Sequence, residues 1–461
     1  MPTPNENEYK DLSFWHATAS QAHLPALKED IDVDVAIVGG GFTGLWTAYY
    51  LKSLDPGLSV AVAEARFPGF GASGRNGGWA VGEMAGMATR FADPATRESA
   101  IRLQRAMFQT VDEIGRVTRH EGIDCHYAKG GQVNLATAPA YEEDLRAEAE
   151  YWSALGFGKE DFCWLEADEV AKHVRSPRTL GALYSPHCAV VHPLRLVSGL
   201  VDVLQRDGVH IYCDTPATRI EKGRVLTPGG SVRAPMIVRA TEAYTDTIPG
   251  NRRQLLPFHS MMIATEPLPA ETWDEIGLAA RETFGDPRRM VIYGQRTADD
   301  RIAFGARGGY LFGSKIRSEF SPDEDCFQQA RDTLVELFPV LEGVGVTHCW
   351  GGALGIPREW RPAVGIDRQE GRGWAGGYVG EGVAASNLAG RTLADLILER
   401  DSPLVDMPWV GPAFGKWEPE PLRWIGSKVM NRLGDYLDGA ELAGRRPSGL
   451  LNSVYDWIVQ K

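Results

Sequence analysis

Residues Asp34 to Gly44 read Asp-Val-Ala-Ile-Val-Gly-Gly-Gly-Phe-Thr-Gly and carry three glycines spaced as Gly39-x-Gly41-x-x-Gly44. In such a motif Gly39 permits a tight turn, Gly41 lets a pyrophosphate approach the backbone, and Gly44 lets a helix pack closely on a strand. Free N–H groups and the dipole at a helix N-terminus attract negative charge. The spacing therefore predicts a site for a nucleotide diphosphate.

The flanking residues predict the elements that this motif requires. Val35 to Val38 is suited to a buried parallel strand, and Leu45 to Leu54 has helical apolar spacing until Asp55-Pro56-Gly57 stops it. A second strand, Leu58 to Ala63, ends in Glu64. An acid at that position can accept the hydroxyls of an adenosine ribose. Strand, glycine turn, helix and terminal acid thus occur in the order of a Rossmann-type unit.

A glycine-rich loop follows directly. After Glu64-Ala65-Arg66, residues 69–78 read Gly-Phe-Gly-Ala-Ser-Gly-Arg-Asn-Gly-Gly, and the exposed amides of such a loop bind anionic oxygens. These two stretches resemble the flavin-amine oxidoreductases of the D-amino-acid oxidase and glycine oxidase superfamily, in which they run along the FAD phosphates and under the flavin. The resemblance places Arg66 and Ser73 at phosphate or ribitol, and it places near the isoalloxazine Arg75, Asn76, Gly77 and Gly78.

The resemblance covers nearly all of residues 30–400. Val191 to Leu200 looks like the family's His-Pro segment, where a loop enters a helix, and the strand pair ending in Thr215 to Ile220 carries Ala217 at the expected adenine position. Ile237 to Thr245 resembles the family's returning strand and its threonine turn, which includes Thr241. That turn usually has Asn or Gly where this chain has Glu242.

The most specific resemblance lies further along. Cys349 to Gly365 and Trp374 to Arg391 resemble the gamma-glutamylputrescine oxidase-like branch of the superfamily. The glycine-rich turn Gly376 to Gly382 opens a predicted helix, Val383 to Glu399, and a second helix N-terminus stabilises the anionic reduced flavin. The residues predicted to bind FAD are Gly39, Gly41, Phe42, Thr43, Gly44, Glu64, Ala65, Arg66, Gly71, Ala72, Ser73, Arg75, Asn76, Gly77, Gly78, Ala217, Thr241, Gly377, Gly380, Glu381, Gly382 and Val383.

Four side chains are candidates for the substrate side. Arg361 resembles the arginine that forks onto a substrate carboxylate in amino-acid oxidases, although a salt bridge to Glu359 would equally explain it. Trp79, His259 and Tyr378 are pocket candidates, with core packing as the alternative for each. Cys349 lies where some sarcosine-oxidising relatives link flavin covalently, but its spacing differs from theirs. We therefore predict non-covalent FAD and a buried, inert thiol.

The predicted fold class is α/β, with a Rossmann-type FAD domain of the glutathione-reductase type and an α+β substrate domain containing an antiparallel sheet. The predicted boundaries are an N-terminal extension, 1–30; a discontinuous FAD domain, 31–90, 165–245 and 347–400; a substrate domain, 91–164 and 246–346; and a helical tail, 401–461. Within the substrate domain, a strand from Phe258 to Thr265 and a hairpin of Met290 to Arg296 with Arg301 to Arg307 are expected to roof the flavin.

Composition narrows the class of protein. The chain has 461 residues, 43% of them apolar, which suits two soluble domains, and its net charge of −13 argues against a nucleic-acid partner. No run of eighteen apolar residues and no signal peptide is recognisable, so we expect no membrane partner and a cytoplasmic location. The six cysteines show no metal or redox spacing and are predicted to be reduced. Pro419 to Leu437 reads as an amphipathic helix that packs on the body or on a second copy of the chain.

The resulting prediction is an FAD-dependent oxidase of a small primary or secondary amine or amino acid. By family resemblance, the C–N bond is oxidised by hydride transfer to flavin N5, the imine hydrolyses, and O₂ or another acceptor takes the electrons, with H₂O₂ as the product of O₂. Alternatives are a flavin amine dehydrogenase with a non-oxygen acceptor and a non-catalytic FAD-binding subunit. A nicotinamide-dependent dehydrogenase would share only the first glycine motif.

Overall fold

The computed structural model describes residues 7–20, 24–411 and 413–459. Its helices are α1 (Asn7–Lys10), α2 (Phe14–Ala17), α3 (Phe42–Leu54), α4 (Met87–Ala92), α5 (Arg97–Glu121), α6 (Pro139–Ala154), α7 (Ala167–Val170), α8 (Pro193–Arg206), α9 (Ala270–Ile276), α10 (Asp325–Leu337), α11 (Gly382–Ile397), α12 (Leu422–Leu442) and α13 (Gly449–Val459). Its strands are β1 (Ile31–Asp32), β2 (Val35–Val38), β3 (Val60–Ala63), β4 (Trp79–Val81), β5 (Gln132–Ala136), β6 (Cys163–Glu166), β7 (Gly181–Ser185), β8 (Cys188–Val190), β9 (His210–Tyr212), β10 (Arg219–Glu221), β11 (Arg224–Thr227), β12 (Gly230–Arg233), β13 (Met236–Arg239), β14 (Leu255–Thr265), β15 (Thr283–Gly285), β16 (Ile292–Arg296), β17 (Ile302–Tyr310), β18 (Val346–Pro357), β19 (Ala363–Asp367) and β20 (Arg372–Gly376).

The first layer is a six-stranded sheet in the order β19-β20-β13-β2-β3-β9. All its pairs are parallel except β19 with β20. Every residue of β2 and β3 is buried, as expected for parallel strands covered on both faces. The helices α3 and α11 cross so closely that a Cβ at Gly390 would lie 2.7 Å from the backbone of Trp46. The predicted Rossmann-type strand, turn and helix are confirmed, with the helix starting at Phe42.

The second layer is an eight-stranded sheet in the order β18-β14-β17-β16-β15-β5-β7-β6. Its pairs are antiparallel except β15 with β5. The helices α9 and α10 cover one face, where Trp273 and Phe327 pack with Phe304. The predicted hairpin is confirmed, since Arg296 of β16 pairs with Ile302 of β17.

Sheet membership differs from the predicted domain boundaries in two places. The strand β7 and half of β6 fall in 165–245, and nearly all of β18 falls in 347–400, yet all three belong to the eight-stranded sheet. The helix α5, predicted for the substrate domain, packs in the same core as α3 and α11. Periodicity predicts that a segment is a strand or a helix, but the partner that it packs against depends on tertiary contacts.

The N-terminal segment is more than an extension of polar residues. In α2, Phe14 and Trp15 are each 1% exposed and pack in the main core. Ser13 caps this helix by accepting from the backbone N–H of His16. Apolar side chains outside periodic segments can therefore be integral to a core, a role that the pattern around them did not indicate.

The tail contains the predicted amphipathic helix, α12, but its apolar side chains do not pack on the body along the whole length of the helix. Leu437 of α12 is buried, whereas Leu422, Ile425 and Val429 are exposed. Met430 lies on the packed face of α12 instead. It belongs to a buried cluster that also contains residues of α13. Within the described residues, no helix combines the length and the hydropathy needed to cross a lipid bilayer.

Candidate functional site

A cavity of about 880 Å³ lies where the two layers meet. Val38 and Ala63, at the ends of β2 and β3, line it together with Ala240, which follows β13. Ligands of open α/β sheets bind outside the carboxyl ends of the strands. The six-stranded sheet therefore supplies one wall of the cavity, and residues of the eight-stranded sheet, such as Tyr293 of β16, supply another.

The glycine motif forms the first part of this cavity. Gly39 has a φ of 111°, and a Cβ there would overlap the carbonyl oxygen of Ala240. A Cβ on Gly44 would overlap the carbonyl oxygen of Gly39 and lie 3.1 Å from Cγ2 of Ile37. The N-terminus of α3 faces the cavity, with the backbone N–H of Phe42 donating to Ser73 Oγ at 2.9 Å. The strand, the turn and the helix can pack this closely only with glycine at these positions.

Glu64 stands at the expected end of β3 and lines the cavity. Its Oε2 accepts from the backbone N–H of Gly40 at 2.7 Å, and its Oε1 accepts from that of Arg66 at 2.9 Å. Burial raises the pKa of this carboxyl, and these hydrogen bonds oppose that effect. Each carboxylate oxygen has a second lone pair, so Glu64 shapes the turn and keeps acceptors for ribose hydroxyls.

The loop of residues 69–78 is held from outside the Rossmann unit. Arg75 is buried, and its Nε and Nη1 donate to the carbonyls of Phe70 at 2.8 Å and Ser318 at 2.7 Å. Its own carbonyl accepts from Nε1 of Trp350 at 2.9 Å. Desolvation lowers the pKa of Arg75. The buried Nη2 has no hydrogen-bond partner among the described residues, so one donor stays available to a ligand.

The helix α2 supports the same loop. Nε1 of Trp15 donates to the carbonyl of Asn76 at 2.8 Å, and Oγ of Ser13 donates to the carbonyl of Gly74 at 3.3 Å. Burial and the Arg75 guanidinium lower the pKa of His16 to about 3, so this imidazole is neutral at ordinary pH. The N-terminal segment thus positions two residues of the predicted flavin loop, Gly74 and Asn76.

A second helix N-terminus faces the cavity from the C-terminal part of the sheet. Gly380, Glu381 and Gly382 line the cavity at the start of α11, and Gly380 has a φ of 114°. Nearby, the hydroxyl of Tyr378 is 2.8 Å from Oγ1 of Thr43, which joins the two helix starts. Burial raises the pKa of Tyr378 far above its usual value. Two positive helix ends therefore converge on one elongated cavity.

Most of the predicted binding residues line this cavity. Those that do are Gly39, Gly41, Phe42, Thr43, Glu64, Ala65, Arg66, Gly71, Ala72, Ser73, Arg75, Asn76, Gly77, Ala217, Thr241, Gly380, Glu381, Gly382 and Val383. Three do not: Gly44, Gly78 and Gly377. Gly78 packs instead on Gln295, whose side-chain amide donates to the carbonyl of Gly77. These three glycines bring elements together rather than border the cavity.

Three of the four predicted substrate-side residues line the cavity, and one does not. Trp79 and Tyr378 line the cavity, as does His259, but both ring nitrogens of His259 are engaged by the backbone of Gly309 and Arg317. Arg361 does not line the cavity. Its side chain lies against Gly86, where a Cβ would overlap it. The predicted carboxylate anchor therefore lies outside this cavity.

Sequence reasoning did not single out two glutamates of this cavity. Glu83 and Glu148 both line it, next to the aromatic side chains of Phe91, Tyr151 and Trp152. Glu83 lies only four residues after Trp79, so its proximity to the flavin loop was a usable signal. Glu148 belongs to a polar stretch of α6 that resembles any solvated helix face, and no local pattern marks it.

The residues present fit a flavin dinucleotide. A glycine cradle without room for side chains, two helix N-termini and an unpaired Arg75 donor suit its pyrophosphate and its pyrimidine edge. No cysteine lines the cavity, and the six cysteines of the chain are unpaired thiols. Burial raises the pKa of Cys349 to about 11, which makes it a poor nucleophile.

Comparison with protein families agrees with this geometry. The model of the FAD-dependent oxidoreductase family DAO matches residues 34–396. The chain belongs to this family. As a DAO-family protein it is an FAD-dependent oxidoreductase of the amine and amino-acid oxidase type.

Three individual proteins are similar to this DAO-family chain over most of its length. The gamma-glutamylputrescine oxidoreductase of Escherichia coli is 30% identical over 435 residues, which is 92% of this chain and 98% of that protein. The probable oxidoreductase OrdL of Haemophilus influenzae is 30% identical over 83% of this chain and 86% of that protein. The crystal structure of glycine oxidase from Geobacillus kaustophilus has the same fold, with a TM-score of 0.67 and 21% identity over 80% of this chain and 96% of the glycine oxidase.

One buried acid of the cavity has a testable effect on stability. Glu242 accepts from the backbone N–H groups of Gly377 at 3.0 Å and Tyr378 at 3.2 Å. Burial nevertheless raises the pKa of this carboxyl from 4.5 to about 7. Between these values the folded protein keeps a proton that the unfolded chain has released, so the free energy of unfolding falls as the pH rises, by about 1.4 kcal/mol per pH unit.

We expect Glu242→Gln to remove this slope. The slope is measured by urea unfolding of the flavin-free protein and of the variant at several pH values between 4.5 and 7. The difference between their free energies of unfolding isolates Glu242, because every other titrating group contributes equally to both proteins. Above pH 7 the difference should become constant. Parallel curves over the whole range would mean that Glu242 is already ionised in the folded protein at pH 5.

Proposed function

We propose that the protein oxidises the C–N bond of a small primary or secondary amine or amino acid, with O₂ as the final electron acceptor and H₂O₂ as a product. The observation that carries this proposal is a single cavity that joins the glycine-rich turns of the six-stranded sheet to a space lined by residues of the eight-stranded sheet. The gamma-glutamylputrescine oxidoreductase relative acts, by its name, on an amine of this kind.

The chain's own residues have two tasks in this reaction. The two helix N-termini and the loop of residues 69–78 would hold the cofactor in the cavity that Trp79 also lines. Trp79 and Tyr293, whose rings are 5.9 Å apart in an edge-on arrangement, form a wall that excludes water from the reacting carbon. Bound FAD supplies the two-electron acceptor for the hydride that leaves the carbon next to nitrogen. The resulting imine is hydrolysed by water to a carbonyl compound and an amine or ammonia.

An anaerobic absorbance screen tests the proposal. The purified holoprotein is mixed in a stopped-flow instrument with butylamine, putrescine, gamma-glutamylputrescine, glycine, sarcosine and D-alanine, and air is then admitted. We expect one compound class to bleach the flavin bands and air to restore them with stoichiometric H₂O₂. Bleaching that air does not reverse would indicate a dehydrogenase with another acceptor. A flavin that no compound bleaches would contradict the proposal and favour a non-catalytic FAD-binding subunit.

A further inference from the structure

The position of Glu83 is set by the elements around it. It follows β4, which pairs with β8 through Ala80 and Ala189. The backbone N–H of Gly82 donates to the carbonyl of His187 at 2.7 Å, and the Gly82 carbonyl accepts from Nε2 of Gln104 at 2.7 Å. Because its neighbour is held on both sides, the Glu83 side chain has a defined location on the cavity wall.

The carboxyl of Glu83 has no compensating charge. It is half-buried, it lines the cavity, and within the described residues it forms no hydrogen bond or ion pair. The charged groups that act on it are Glu148 of α6 and Glu381 at the start of α11, both acids. A buried carboxylate is costly unless a cation or hydrogen-bond donors compensate it. Burial and these two acids raise the pKa of Glu83 to about 8.

The other titratable groups near this part of the chain do not compensate the negative charge of Glu83. Arg90 of α4 and Arg361 lie close to each other, and neither lines the cavity. Cys188 of β8 is the nearest titratable group on the paired strand, and burial raises the pKa of its thiol to about 12, so it stays neutral.

Three of the arginines that line the cavity elsewhere are engaged by other groups. Arg288 forms an ion pair with Asp286 at 2.6 Å, and Arg289 forms one with Glu441 at 2.6 Å. Arg307 interacts with Tyr455 of the tail. None of the three is among the groups that act on Glu83.

Aromatic side chains complete the surroundings of these acids. Phe91, Tyr151 and Trp152 line the same cavity, with the rings of Phe91 and Trp152 at 5.6 Å. Nε1 of Trp152 donates to Oε1 of Glu148 at 3.2 Å, which orients that carboxylate. Aromatic faces attract cations, and an ammonium group is the cation that an amine substrate brings. Acids and aromatic rings are the two kinds of group that bind an alkylammonium ion in water-poor sites.

We propose that Glu83 is a catalytic residue that receives the ammonium group of the substrate and takes its proton. The inference rests on the proposed function. In this step an N–H bond of R-CH₂-NH₃⁺ breaks and an O–H bond of Glu83 forms. The amine becomes R-CH₂-NH₂, and neither the amine nor Glu83 is oxidised or reduced. The lone pair on nitrogen then assists the departure of hydride from the adjacent carbon to FAD, which leaves R-CH=NH₂⁺. A carboxylate on the reacting carbon would face the acids, so alkylamines are preferred over α-amino acids.

The pH dependence of kcat/KM tests the proton transfer. The productive complex holds one proton shared between Glu83 and the amine. For butylamine we therefore expect a bell that rises through about pH 8, the pKa of Glu83, and falls near about 10.4, where a free ammonium group loses its proton. In Glu83→Gln the amine must arrive neutral, so the bell should become one curve that rises to about pH 10.4. A bell that persists in Glu83→Gln would overturn the proposal, and so would a single rising curve in the unchanged protein.

The size of the effect follows from the same equilibrium. Between pH 8.5 and 9.5 the neutral fraction of butylamine rises about 10-fold, so kcat/KM of Glu83→Gln should rise about 10-fold, whereas that of the unchanged protein should stay nearly constant. Glu83→Asp keeps the acid and should keep the bell. Glu150→Gln makes the same charge change at an exposed position of α6 and should match the unchanged protein. Flavin content and melting temperature of each variant verify that it is folded.

Two further readouts separate this proposal from the proposed function. Binding of tert-butylamine, which has no hydrogen on the reacting carbon, is followed by perturbation of the flavin spectrum at pH 8.5 and should weaken by about 10-fold or more in Glu83→Gln. Butylamine should also exceed both enantiomers of norvaline, its α-carboxylated counterpart, in kcat/KM by about 10-fold or more. Faster reduction by norvaline, or equal tert-butylamine affinity, would overturn the role of Glu83 while leaving the oxidase intact. Absence of flavin reduction by any compound would overturn both proposals.

Discussion

Replacement of Gly44 by alanine is expected to yield a protein that retains no FAD. The added Cβ would overlap the carbonyl oxygen of Gly39 and lie 3.2 Å from its carbonyl carbon, both backbone atoms that cannot rotate away. Relief requires α3 to move from β2, which displaces the helix N-terminus that faces the cofactor pyrophosphate. Overpacking of this kind costs about 1–3 kcal/mol or more. The ratio of flavin to protein absorbance after purification, with the melting temperature, measures the result.

The matched control is Gly426→Ala. A Cβ at this position of α12 would have no atom within 4 Å, and alanine favours the helix by about 0.5–1 kcal/mol over glycine. This variant should therefore keep its full flavin content and melt at the same temperature or higher. Full flavin content in Gly44→Ala would show that α3 and β2 can separate without loss of the binding site.

Replacement of Trp15 by alanine should destabilise the protein by about 3–5 kcal/mol, the usual cost of removing a fully buried tryptophan. Trp15 is 1% exposed, and its ring lies 6.2 Å from that of Trp350 in an edge-on arrangement. The two indoles donate to the carbonyls of Asn76 and Arg75, so both are attached to the loop of residues 69–78. Loss of Trp15 should therefore also weaken FAD binding, measured by titration of the flavin-free protein with FAD.

Trp457→Ala is the control for this substitution. Trp457 lies in α13 and is 76% exposed, so its removal deletes the same side chain without opening a cavity. The free energy of unfolding of Trp457→Ala should differ from that of the unchanged protein by less than about 0.5 kcal/mol. If Trp15→Ala bound FAD as tightly as the unchanged protein, the N-terminal segment would contribute to stability alone.

The cofactor half of the site was largely predictable from sequence. The residues from Gly39 to Gly44 and from Glu64 to Gly78 are local in the chain, and each glycine there answers a local requirement of backbone conformation or close approach. Gly39, with its positive φ, and Gly44, beneath the carbonyl of Gly39, show this directly. A pattern whose physical cause lies within a few residues is visible without a fold.

The substrate half of the site was much less predictable. Arg361 has the sequence context of a carboxylate anchor, yet its side chain lies against Gly86 outside the cavity. His259 is on the predicted strand, but its ring nitrogens are engaged by the backbone. Whether a polar side chain of a strand faces a ligand or a neighbouring loop depends on the elements that pack against it, and these come from distant parts of the chain.

The amino-acid sequence by itself determined the Rossmann-type unit, the flavin loop, the second glycine turn and the class of cofactor, because each depends on residues close together in the chain. Only the tertiary structure brought α2 beneath that loop and joined Glu83, Glu148 and Glu381, from three separate elements, around one cavity. The physical reason is that burial and charge compensation are properties of neighbours in space. A glutamate has the same local appearance whether it is solvated on a helix or enclosed without a cation.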